Sequence, residues 1–281
     1  MLEVRNLKFS VDDSVPKHWH GRGRAVTIFF DGLSIFFPHG ERFFISSVRA
    51  RRHSIGTELQ RDVALFTAQE GIHGREHDAY NEHLAKIGYP VAELEKRVER
   101  ILRFAKKALP KRSQLAVTCA LEHFTGMMAL LLLGEPKNLD GAHPTMGSLW
   151  RWHAAEESEH KTVPFDVFRA AGGTEVERMG MMLVTSVVFW GKVFHHQVRL
   201  MHADGCLWSA KEWGSLGRFL FVDPGTMWTL GRAWISYFRP GFHPLDIDDG
   251  ALLEEWKQSY QPSYQPSYEP SYQDGTSPAP A

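Results

Sequence analysis

The sequence predicts an all-α protein, a four-helix bundle with additional C-terminal helices. Apolar residues recur at three- and four-residue intervals through most of the chain, and no segment alternates as a strand would. Glycine and proline breaks divide this pattern into helix-sized pieces. Carboxylates and imidazoles also fall on otherwise apolar helix faces, where a bundle interior would gather them.

Residues 1–21 are an N-terminal segment, charged and mixed, with no apolar stretch of the kind that directs secretion. Residues 22–171 carry the bundle. Phe29, Leu33, Phe36, Phe37, Phe44, Ile45 and Val48 trace its first stripe, which Pro38 either kinks or restarts. A second stripe runs through Val91, Leu94, Val98, Ile101, Leu102 and Leu109. A long apolar helix from Leu115 to Leu133 follows Pro110 and stops at Gly134-Glu135-Pro136. With further breaks at Gly88-Tyr89-Pro90 and Gly172-Gly173, this part divides into about five helices. Pro164 is expected to bend the chain just past His160. Residues 172–257 form a C-terminal helical extension packed on the bundle. Residues 258–281 repeat a Pro-Ser-Tyr unit without apolar periodicity and are expected to be disordered.

The 281 residues are 43% hydrophobic and 23% charged, enough to bury a full core. Lysine and arginine number 32 against 33 acidic residues, so no overall field draws the chain to nucleic acid. Fifteen histidines stand beside two cysteines, which disfavours a disulfide scaffold or thiolate zinc ribbon. The longest apolar run, Met179 to Gly191, is 13 residues, short of a bilayer span. A cytoplasmic location is expected, with membrane association as the second expectation.

Glu70 and His73 form Glu-x-x-His, and Glu157 and His160 form another. At a spacing of three, both side chains lie on one helix face and converge on one ion. Glu41 shares a face with Phe37, Phe44 and Ile45; Glu122 shares one with Thr118, Cys119, Ala129 and Leu133. A carboxylate among such neighbours is costly unless paired or bound to a cation. The order Glu, Glu-x-x-His, Glu, Glu-x-x-His is the ligand set of a di-metal carboxylate bundle. It implies two metal ions. Oxygen and nitrogen donors suit iron first, with manganese or zinc next.

The chain resembles the ferritin-like proteins catalogued as predicted metal-dependent hydrolases. The resemblance runs through Val4 to Phe9, Gly40 to Phe44, Gln69 to His77, Leu121 to Thr125, Trp150 to Lys161 and Arg239 to Pro244, and covers about residues 3 to 250. It implies a ferritin-like bundle with a di-metal centre.

Other residues carry smaller expectations. His77, four past His73, is a candidate third imidazole ligand or a supporting residue. Glu156 competes with Glu157, which the three-residue spacing favours. His153, Tyr80 and Thr125 are candidates for supporting roles around the metals, with proton relay a further option for Tyr80.

The expected chemistry is activation of dioxygen to oxidise or oxygenate a small apolar molecule, with an electron donor. Apolar walls from Phe37, Phe44, Phe66, Met127 and Met128 would exclude water. The alternative is two-metal hydrolysis with an activated water. Metal storage is a third, less favoured reading. The His77-Asp78 dipeptide with His53, and the pairs His18/His20 and His195/His196, are too irregular to define another site. Residues 96–112 hold eight basic side chains against one acidic, read as a solvated face or as a dock for anionic lipid or an acidic carrier protein. Oligomeric state is not legible.

Overall fold

A computed structural model describes residues 2–260. Among them there is no strand, and the expected all-α class holds. Eleven α-helices follow in order: α1 Arg24–Ser34, α2 Phe37–Arg49, α3 Thr57–Lys86, α4 Val91–Ala108, α5 Lys111–Gly134, α6 Pro144–His160, α7 Val163–Ala170, α8 Glu175–Ala203, α9 Ala210–Phe221, α10 Thr226–Ser236 and α11 Gly250–Tyr260.

Residues 22–171 thus form seven helices where about five were expected. Proline explains two of the breaks. Pro38 and Pro164 each occupy a first turn, where a missing N–H costs nothing, so the chain stops and restarts there instead of bending. The third break is a tight turn at Arg52–Ser54 ahead of Gly56, in a polar stretch without a proline signal. Thr174 and Ser209 cap α8 and α9, each hydroxyl accepting from the backbone N–H three residues on. The C-terminal boundary also differs. Helix α11 continues through Tyr260, whose ring stacks on Trp256 at 4.9 Å, so 258–260 are helical where a disordered tail was expected. The remaining tail, 261–281, lies outside the described residues.

The four helices that carry the paired glutamates and histidines lie together. α2 packs along α3 and α5 along α6, and the two pairs meet through α2 with α5 and α3 with α6. This arrangement is compatible with a ferritin-like bundle. α8 lies against α5 and α1, α4 covers α2, α3 and α5, and α11 rests on α5 and α6. α5 is the one helix among the described residues long and apolar enough to cross a membrane, and it is a buried core helix here.

The N-terminal segment is strapped across α3 and α6. The backbone N–H of Phe9 donates to Glu76 Oε2 at 2.8 Å, and Arg75 donates to the Leu7 carbonyl. Part of the basic run is neutralised locally: Arg97 pairs with Glu93, Arg103 with Glu99, and Arg112 with Glu177 on α8.

Candidate metal centre

Each Glu-x-x-His lies on an inward helix face, Glu70 and His73 on α3, Glu157 and His160 on α6. Glu41 on α2 and Glu122 on α5 complete the four-helix set. All six are buried. One ligand atom from each of Glu70, His73, Glu157 and His160 lies within 4.8 Å of the others, and Glu41, His73 and His153 form a second group on the same criterion. Glu122 joins through His160, whose Nδ1 is 3.2 Å from Glu122 Oε2 while its Nε2 is 3.2 Å from Glu70 Oε1.

The donor set fits a pair of cations. Both oxygens of Glu41, Glu70 and Glu157, Oε1 of Glu122, Nδ1 of His73 and Nε2 of His153 and His160 are buried without a hydrogen-bond partner. Each buried orphan costs roughly 1–3 kcal/mol, so so many side by side are sustainable only with protons or metal between them. Burial, reinforced by the neighbouring carboxylates, pushes Glu41 and Glu70 well above the usual carboxylate range. Burial likewise lifts Glu122 to about 7, against the pull of His160. Burial drives His73 well down, toward the neutral imidazole that a metal requires. For His160 burial also opposes charge, but Glu157 and Glu122 outweigh it and raise the ring to about 9. Glu157 is lowered, because His160 and His153 beside it overcome its burial. In the metal-free protein these groups share protons that bound cations would displace.

Glu157 turns inward, and Glu156 supports His73 from behind. Glu156 Oε2 lies 3.0 Å from His73 Nε2, and its other oxygen accepts from Trp152 Nε1 at 3.0 Å. With its proton on Nε2, His73 presents Nδ1 to the cluster. Arg5 anchors this carboxylate: its guanidinium reaches Glu156 at 3.5 Å and Glu159 at 2.8 Å. Sequence reasoning missed Arg5, whose partners Glu156 and Glu159 lie more than 150 residues away.

The surroundings of His77 and His153 differ. Both ring nitrogens of His77 are engaged, Nδ1 with the Ser34 hydroxyl and Nε2 with His153 Nδ1, each at 2.9 Å. The Ser34 hydroxyl donates to Asn81 Oδ1 at 2.9 Å, so His77 Nδ1 must donate to Ser34, and His77 Nε2 must accept from His153. That chain leaves the lone pair of His153 Nε2 facing the cluster, 3.0 Å from Glu157 Oε1. His77 thus has no ring nitrogen turned to the cluster, and His153 Nε2 does face it. Ser34 and Asn81 carried no signal in the sequence.

Tyr80 points elsewhere. Its hydroxyl donates to Asp31 Oδ1 at 2.5 Å, and Trp19 Nε1 donates to the same oxygen at 3.0 Å. Thr125 donates to the Glu122 carbonyl at 3.0 Å and lies beside the Glu157 carboxylate. Phe66 packs edge-on against His160, and Phe37 against both His77 and His153. Asp78 is exposed toward Arg42, His53 sits in an exposed turn, and His196 is tied to the Gly32 carbonyl, so none joins the cluster.

A surface cleft reaches toward the centre. A cleft of about 420 Å³ between α2 and α3 is lined by Glu41, Glu70, Arg42, Arg75, Asp78 and Gly74. A Cβ at Gly74 would stand 3.0 Å from Glu41 Oε2 and crowd that carboxylate. This polar cleft qualifies the expected water-excluding wall, which lines the opposite side only.

A family model described as a predicted metal-dependent hydrolase matches residues 3–248. No curated protein and no solved structure matches significantly.

Proposed function

From a chain that belongs to the family of predicted metal-dependent hydrolases, we propose an enzyme that hydrolyses its substrate at a two-metal centre on α2, α3, α5 and α6. Glu41, Glu70, Glu122, Glu157, His73, His153 and His160 would hold the ions. Four carboxylates offset the charge of two divalent cations. The oxygen-rich set suits iron or manganese, with zinc also compatible.

Two such ions, when bound, supply a water nucleophile of lowered pKa and an electrophilic contact for the leaving oxygen. The protein's own groups set the stage. Glu156 and the Ser34–His77 relay fix the tautomers and directions of His73 and His153. Arg42 and Arg75 place positive charge along the water-side cleft.

The observation that carries hydrolysis over oxygen activation is this cleft, which brings polar, solvent-facing space to Glu41 and Glu70. An oxidised intermediate needs water kept out, whereas hydrolysis consumes it. The family description favours the same choice. Oxygen activation rests on the donor set and the apolar residues on one side of it.

The test uses full-length protein loaded with manganese, ferrous iron or zinc. It is assayed on carboxylic esters, amides and phosphomonoesters while oxygen uptake is recorded. Metal-dependent hydrolysis without oxygen uptake is expected. Oxygen consumption by the diferrous protein with no hydrolysis of any class would overturn the proposal.

A further inference from the structure

A second cavity, about 370 Å³, lies on the far side of the centre from the water cleft, among α2, α4, α5 and α8. Apart from Thr125, Thr185 and Lys192, every residue lining it is apolar or glycine. Its walls run lengthwise along parallel helices. On α5 they extend from Val117 to Met128 and on α8 from Met181 to Lys192, each a span of about 16 Å by helix rise. The Arg112–Glu177 ion pair and the Phe124–Phe189 stack, centroids 5.2 Å apart, fix the register of these two helices. The cavity is thus longer than it is wide, the shape that suits an extended hydrocarbon chain.

The cavity is apolar along its whole length, and its two ends differ in their distance from the metal ligands. Leu109, Val117 and Met181 close one end with hydrocarbon. Thr125 and half-buried Lys192 stand toward the other. Thr125 is also the wall shared with the metal centre, since it lies beside Glu157, and Gly40 of the lining precedes Glu41. The side wall opens between α4 and α8, where Phe104 is 71% exposed and Val184 56%.

We propose that this channel binds the hydrocarbon chain of an acyl substrate, with its acyl end toward Thr125, the residue the cavity shares with the metal ligands. Water then approaches from the α2–α3 cleft and the chain from the α4–α8 side. The naming of the bond rests on the hydrolytic reading: water adds its oxygen to the acyl carbon, the ester C–O bond breaks, and the leaving alcohol takes the proton. The chain site itself does not depend on that reading.

The experiment measures equilibrium binding of cis-parinaric acid, an intrinsically fluorescent unbranched fatty acid, to full-length, metal-loaded protein, with displacement by non-fluorescent fatty acids from butyrate to stearate. Leu121→Trp fills the bore, and Val188→Trp obstructs it from the partly exposed helix face. Metal content and circular dichroism are recorded for both. Saturable one-to-one binding is expected, tightening with chain length and weakened more than about tenfold in both variants at unchanged metal content. Absence of saturable binding to the wild type would overturn the proposal, as would affinity indifferent to chain length or to both substitutions. Esters of matching chain lengths separate the two readings: chain binding without ester cleavage removes the hydrolytic reading and keeps the channel, while cleavage blind to chain length, without binding, removes the channel.

Discussion

His77 Nε2 lies 2.9 Å from His153 Nδ1, and this contact decides which of the two rings faces the carboxylates. His77 has no nitrogen left for a metal, because Ser34 takes the other. His153→Ala should therefore remove a ligand outright, whereas Ser34→Ala or His77→Gln should only loosen its orientation. The expected loss in metal affinity is about 10- to 100-fold for such supporting substitutions, and larger for His153→Ala. Chelator competition on the purified proteins measures both, and a larger loss from His77→Gln than from His153→Ala would reverse the assignment.

Glu156 and Arg5 form the corresponding support for His73. Glu156→Gln keeps an acceptor for only one of His73 and Trp152 and loses the charge facing Arg5. Its expected effect on metal affinity is about tenfold, and Arg5→Ala should act in the same direction by releasing the carboxylate. Titration of each apoprotein with manganese against a fluorescent chelator reads the difference. Affinity equal to wild type in both variants would show that His73 needs no such support.

Asp31 gives a pH dependence away from the metals. Burial raises its carboxyl to about 7, against the hydrogen bonds from Tyr80 and Trp19. Because the folded pKa lies above the unfolded one, its favourable contribution is complete below about pH 4 and is lost as pH rises to about 7. Asp31→Asn keeps an acceptor for both donors and removes the titration. Relative to this variant, wild type should lose stability across that window, on the order of a few kcal/mol, and denaturant midpoints at pH 4, 5.5 and 8 follow the trend. A constant difference between the two proteins would contradict it.

The helical period of the chain and the inward set Glu41, Glu70, His73, Glu122, Glu157 and His160 were legible because each depends on spacing within one helix. Where two candidates shared a face, spacing was insufficient. His73, His77 and His153 differ in what lies behind each ring, namely Glu156 for the first and Ser34 with Asn81 for the others, and those partners come from other helices. Arg5 was invisible for the same reason. Tyr80 follows His77 by nearly one turn but is claimed by Asp31 on α1, a stronger local partner than anything in the cluster. The number of helices was underestimated because proline in a first turn begins a helix as readily as it breaks one.

Metal stoichiometry tests the central claim most directly. Full-length protein reconstituted with manganese or ferrous iron and freed of excess metal should retain about two ions per chain. The double variant Glu70→Ala, His160→Ala should lose at least one of them while keeping its helical circular dichroism. Less than one ion in the reconstituted wild type, or undiminished content in the double variant, would contradict the assignment of these buried groups as a two-metal centre.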